Sequence, residues 1–112
     1  MKINNKSNIL IVGLGIVGGS YARGFTKAGY KVNAIDTDRE TIDFALENNI
    51  VARGTTKIDR EMIESADVII FALYPHIFKE WIEKNQWYFR SGTIITDVTG
   101  VKGGLVRYIQ DI

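Results

Sequence analysis

Gly13-Leu14-Gly15-Ile16-Val17-Gly18 is a G-x-G-x-x-G, and it directly follows the unbroken apolar run Ile9-Leu10-Ile11-Val12. A strand before and a helix after is the context in which this motif binds phosphate. Gly13 permits the tight turn out of the strand, and Gly15 lets a pyrophosphate approach the backbone. Gly18 lets the helix pack close to the strand. The unpaired N–H groups at the helix start, those of Ile16 and Val17, then face phosphate oxygens. A helix-end charge effect of ~0.3–1 kcal/mol per anionic group adds to those bonds. Asp36 stands 18 positions after Gly18, where an acid accepts hydrogen bonds from ribose hydroxyls. Its carboxylate repels a 2′-phosphate, so NAD is expected over NADP. Arg39 opposes that preference unless it pairs with Asp43 along a helix. A methyltransferase-type loop is disfavoured, because its third glycine would fall at Val17. The competing explanation is a helix-packing glycine cluster beside a solvated turn aspartate. The order strand, glycines, helix, strand, acid argues against it.

The elements that must position these residues follow from pattern. Residues 16 to 28 mix small and apolar positions and end in Lys27-Ala28-Gly29, a helix with a cation in its last turn and glycine beyond. Gly19, Ser20 and Ala22 extend its small-residue surface. Lys31 to Asp36 is a second strand. Thr37-Asp38-Arg39-Glu40 fits a capping box with Thr37 as N-cap, and Ile42, Ala45 and Leu46 continue at helical spacing. A weaker strand is expected near Ile50 to Arg53 and a short helix from Asp59 to Ser65. Asp67-Val68-Ile69-Ile70-Phe71-Ala72-Leu73 reads as a buried strand, and Pro75 opens a helix running to about Asn85. Thr93 to Val98 is a fifth strand, and a helix is expected from Val101, with Leu105, Val106, Ile109 and Ile112 at helical spacing. Alternating strands and helices with short connections predict an α/β, Rossmann-type doubly wound parallel sheet of about five strands. The last helix ends without a cap while still presenting apolar residues. A truncated protein is therefore expected, with a frayed terminal helix as the alternative.

In such sheets the ligand lies beyond the carboxyl ends of the strands, which places Leu73-Tyr74-Pro75 and Asp97-Val98-Thr99-Gly100 near the cofactor. Tyr74 either covers a ribose or the nicotinamide, or is an exposed loop aromatic. His76, the single histidine, is the obvious general-base candidate. It follows Pro75 at a helix start, where its positive form meets the unfavourable end of the dipole, so a capping or surface role is favoured. Glu61, Glu64 and Asp67 cluster without metal-ligand partners and read as solvated positions. Trp81, Trp87 and Tyr88 are expected to pack an outer helix on the sheet, or else to form a docking face for a missing domain.

Composition excludes several classes. The chain has 112 residues, eleven glycines, one proline, no cysteine and a formal net charge of +1. That length suits one domain with one core. Without cysteine there is no disulfide scaffold, thiolate metal site or cysteine nucleophile. Near-zero charge argues against nucleic acid or an anionic membrane as partner. No apolar run approaches the roughly 20 residues of a membrane span. The first residues lack the apolar stretch of a signal peptide, so a cytoplasmic protein is expected.

The residues also resemble a family. Gly13-Leu14-Gly15-Ile16-Val17-Gly18-Gly19-Ser20-Tyr21-Ala22 resembles the G-L-G-[LI]-[IV]-G-G-S-x-A opening of prephenate dehydrogenases. Asp97-Val98-Thr99-Gly100-Val101-Lys102 resembles their second signature, D-V-[GA]-S-V-K, with Gly100 where the family has serine. The resemblance implies a two-domain enzyme of tyrosine biosynthesis that oxidatively decarboxylates prephenate, or the related arogenate, using NAD. Residues 1–112 would be its NAD-binding domain. The catalytic histidine would lie beyond the second signature in a His-Pro segment, and the substrate arginines and homodimer contacts in a following helical domain, leaving this piece inactive by itself. The competing readings are another nicotinamide-dependent reductase or β-hydroxyacid dehydrogenase, and a nonenzymatic NAD(H)-sensing module.

Overall fold

The computed structural model describes residues 6–98 and the backbone of 106–110. Its elements, in chain order, are β1 (Asn8–Val12), α1 (Ile16–Lys27), β2 (Lys31–Ile35), α2 (Arg39–Glu47), β3 (Arg53–Thr55), α3 (Arg60–Glu64), β4 (Val68–Phe71), α4 (Pro75–Asn85), β5 (Thr93–Asp97) and β6 (Val106–Gln110). They form one sheet of order β3-β2-β1-β4-β5-β6. The pairs β1–β2, β1–β4, β2–β3 and β4–β5 are parallel. The expected doubly wound parallel sheet is therefore present.

The apolar runs explain the layering. Because successive strand residues face opposite sides, Ile9 and Ile11 join Val32, Ala34, Ile42 and Ala45 on one face, under α1 and α2. Leu10 and Val12 join Met62, Ile63, Ile69 and Phe71 on the other, under α3 and α4. The single expected core is thus divided by the sheet into two apolar layers. Trp81 packs edge-on to Phe71 with centroids 4.9 Å apart and stacks near Phe89. Trp87 does not share in this packing and is 78% exposed.

Helix ends follow local chemistry. α1 closes as a Schellman motif: Gly29 takes φ +97°, and the Tyr30 N–H donates to the Phe25 carbonyl at 3.0 Å. The expected Thr37 cap is corrected, because Asp38 is the N-cap of α2 and its carboxylate accepts from the Glu40 N–H at 3.1 Å. The third strand begins at Arg53, later than Ile50, because Asn49 (φ 56°) and Ile50 are used in closing α2. The Ile50 N–H donates to the Ala45 carbonyl at 2.8 Å.

The terminal helix is also corrected. Residues 106–110 are a strand, antiparallel to β5, with Asp97 opposite Val106 and Thr93 opposite Gln110. The Gly103-Gly104 pair disfavours helix by roughly 1 kcal/mol per glycine. Val106, Tyr108 and Ile109 favour a strand. The expected helix start at Val101 lies outside the described residues.

Candidate functional site

β1 leads one way to β2 and the other way to β4, so the switch in strand order lies between β1 and β4. The carboxyl ends of these strands are where a ligand is received in this architecture. Gly13 leaves β1 at φ +97°, and a Cβ there would stand 2.5 Å from the Ala72 carbonyl oxygen and 3.1 Å from a Leu73 methyl. Both the backbone conformation and the close approach therefore require glycine. The same contacts bring Leu73 beside the turn.

Gly18 is required for a different reason. A Cβ on it would lie 1.8 Å from the Gly13 carbonyl oxygen and 3.1 Å from the Ala72 Cβ. This glycine seats α1 on the ends of β1 and β4. Of the small residues beyond it, Ala22 is buried, whereas Ser20 is exposed. A Cβ on Gly19 would make only an ordinary 3.6 Å contact. The expected continuous close-packing surface is therefore limited to Gly18 and Ala22.

Gly15 is the N-cap of α1, makes no side-chain cap, and would meet nothing within 4 Å if given a Cβ. No acid stands in the first turn of α1. Ile16 and Val17, the first two helical residues, are 94% and 42% exposed. Their N–H groups have no intrahelical acceptor. The result is a set of donors at the positive end of a helix, with open space where a side chain would have stood.

Asp36 is half-buried and joins the turn from β2. One carboxylate oxygen accepts from the Leu14 N–H at 2.6 Å and the other from the Asp38 N–H at 2.8 Å. Each oxygen keeps a further acceptor site. Beside it lies a cavity of about 250 Å³ lined by Gly13, Asp36, Ile58, Leu73, Ile77 and Trp81, among others. Arg39 is drawn along α2 instead, 3.8 Å from Asp43 and 3.4 Å from the Thr56 hydroxyl.

The structure thus brings Gly13, Gly15, Ile16, Val17, Gly18, Asp36 and Leu73 together at one end of the sheet. Tyr74 and Pro75 follow at the start of α4, where Tyr74 is the N-cap residue and 77% exposed. Thr99 lies outside the described residues. His76 is exposed in the first turn of α4. Of the acidic cluster, Glu61 and Glu64 are exposed as expected, and only Asp67 is corrected. Glu61 faces Arg53 at 3.7 Å, Glu64 bonds Arg60, and Asp67 is half-buried between the Asn8 N–H and Arg90. Among the described residues no group of acids and histidines could hold a metal ion. Sequence reading missed the Leu14–Asp36 bond and the cavity walls from α4. The i, i+4 spacing of Ile77 and Trp81 is the signal for the latter; nothing in the sequence signals the former.

Glycine turn, bare helix start and acid at the end of β2 define a Rossmann-type nucleotide-binding domain. The family model described as the nucleotide-binding domain of prephenate dehydrogenase matches residues 21–112, and the chain belongs to that family. The matched span opens after the glycine turn, so the role of the turn rests on its own geometry. Prephenate dehydrogenase of Lactococcus lactis subsp. cremoris (strain MG1363) is 31% identical over 108 residues, covering 93% of this chain and 29% of that protein. The structure of the A. aeolicus prephenate dehydrogenase in complex with hydroxyphenyl propionate and NAD+ superposes with a TM-score of 0.74. It is 29% identical over 87% of this chain and 35% of that one. Synechocystis arogenate dehydrogenase superposes at 0.75 with 24% identity, over 81% of this chain and 32% of that one, a likeness of fold. The chain spans about a third of the length of these relatives.

Proposed function

We propose that this chain binds NAD and forms the cofactor half of a dehydrogenase that oxidatively decarboxylates prephenate or arogenate. The observation that carries the reading is the start of α1: uncapped, free of acids, and open at Gly15 where a side chain would block approach. The N–H groups of Ile16 and Val17 hold the pyrophosphate there, supported by the helix dipole. The adenosine occupies the 250 Å³ cavity, its ribose hydroxyls donating to Asp36 and its ring beside Leu73, Ile77 and Trp81. Because that carboxylate faces the ribose, a 2′-phosphate is repelled, and NAD is preferred to NADP.

Bound NAD supplies a hydride acceptor. Tyr74 and Pro75, which follow β4, and Thr99, which follows β5 in the sequence, are assigned to its nicotinamide end. On this reading residues 1–112 are one domain of a cytoplasmic, homodimeric enzyme. The base that takes the hydroxyl proton belongs to a His-Pro segment beyond the second signature, and the arginines that hold the substrate carboxylates to a following helical domain. Small-molecule substrate and cofactor are then its ligands, with no nucleic acid or membrane partner.

Calorimetric titration tests the cofactor assignment: NAD binds saturably and NADP more weakly. No binding, or a preference for NADP, overturns it. Prephenate and arogenate show no turnover with this chain alone; robust turnover would mean that the catalytic base lies within it.

A further inference from the structure

A second cavity, about 450 Å³, opens between α1 and α2 on the face of the sheet opposite the Asp36 cavity. Gly15 and Ile16, at the start of α1, line its inner end, and Gly19, Arg23, Phe44 and Ile50 line the rest. Three features set this groove apart from ordinary helix packing. Glycine inside a helix costs ~1 kcal/mol relative to alanine, yet packing does not require one at Gly19, where a Cβ would make only an ordinary 3.6 Å contact. Gly19 instead lines the groove with no side chain to fill it. Phe44 is 53% exposed and forms an aromatic wall. Arg23 also lines the groove. Arg39, Arg53, Arg60 and Arg90 each have an acid within ion-pair distance, whereas Arg23 has none among the described residues.

We propose that this groove binds a small aromatic monocarboxylate, with its ring against Phe44 and Ile50 over Gly19 and its carboxylate on Arg23. The Ser20 hydroxyl, which also lines the groove, donates to the second carboxylate oxygen. The volume lies within the range of small-molecule sites, in which apolar walls carry a few placed polar groups. A single guanidinium matches the charge and planar fork of a carboxylate. Gly15 and Ile16 line the inner end of the groove at the start of α1, so a phosphate would sit on the N–H groups there and not on Arg23. An aliphatic acid would forgo the ring contact with Phe44.

Amide-resolved NMR of the 15N-labelled chain titrated with phenylacetate tests this with no nucleotide present, so the result is independent of the proposed cofactor. Saturable shifts are expected at Gly19, Ser20, Arg23, Phe44 and Ala45. Arg23→Gln weakens binding about tenfold, the effect of losing a charge-assisted contact, and the neutral analogue phenylacetamide binds correspondingly less. Phe44→Ser weakens it as well. Both side chains are exposed, and an unchanged spectrum elsewhere confirms that each variant is folded. The proposal is overturned by absence of saturation, by shifts centred on Asp36 and Trp81, or by equal affinity in Arg23→Gln or for the amide. Equal displacement of phenylacetate by inorganic phosphate from the unsubstituted chain and from Arg23→Gln overturns it too, because the carboxylate would then sit at the start of α1.

Discussion

The two ends of the sheet are built from the same strands and treat their polar groups in opposite ways. At the amino ends, the Asn8 N–H donates to Asp67 at 2.7 Å, Arg90 pairs with the other carboxylate oxygen, and the Thr93 hydroxyl donates to the Arg90 carbonyl at 2.7 Å. Strands β1, β4 and β5 are thereby tied together, and Thr93 is wholly buried. At the carboxyl ends, α1 begins without a cap, although α2 and α3 are capped by Asp38 and Asp59. Ile16 and Tyr74 stand in solvent there. Polar groups satisfied internally stabilise the fold, and groups left open at an ordered end are available to a ligand. Stability and binding are therefore expected to separate along the strand direction.

The strongest test of that separation is the one residue that serves both purposes. Gly18→Ala forces a Cβ to within 1.8 Å of a backbone oxygen, and neither α1 nor the turn can yield without the other. A loss of about 3 kcal/mol or more is expected in urea unfolding, with nucleotide binding lost as well. A change below about 1 kcal/mol would show that α1 is not seated by this contact. Next comes Asp67→Ala at the closed end. It strands the Asn8 N–H and the Arg90 guanidinium, and about 2 kcal/mol of stability is expected to go. The affinity of the folded protein for NAD should not move, and a matching loss of affinity would refute the separation.

Much of this arrangement is legible in the sequence. Unbroken apolar runs such as Ile9 to Val12 identified strands covered on both faces, and the glycine spacing located the turn between β1 and α1. Three readings failed where a local signal had a competitor nearby. Thr37 and Asp38 both suit an N-cap, and the carboxylate took the position because its neighbour Asp36 was already turned to Leu14 and Asp38. Ile50 looked like strand by composition but is needed to close α2. Val106 and Ile109 suit either period in so short a segment, and they are part of a strand that pairs with β5. The cavity walls were hidden for another reason. Ile58 and Trp81 come from separate elements, and only the strand order brings them to Asp36.

Two substitutions at the open end sharpen the comparison further. Gly15→Ala places a methyl group where nothing lies within 4 Å, on extended backbone with a negative φ of −67°. Stability should hold within about 0.5 kcal/mol, while NAD affinity falls about tenfold, or 1.4 kcal/mol, because the methyl group occupies the approach to the phosphate. Unfolding and calorimetry together decide this, and a parallel fall in both would make Gly15 a structural residue. The smallest effect is expected for Asp36→Asn. Asparagine keeps one acceptor for the Leu14 or Asp38 N–H but removes the charge that repels a 2′-phosphate. The ratio of NADP to NAD affinity should rise roughly fivefold, about 1 kcal/mol, and the rise should shrink at high salt as the charges are screened. An unchanged ratio would confine Asp36 to holding Leu14 in the turn, and the preference between the two nucleotides would then have to come from another residue facing the ribose.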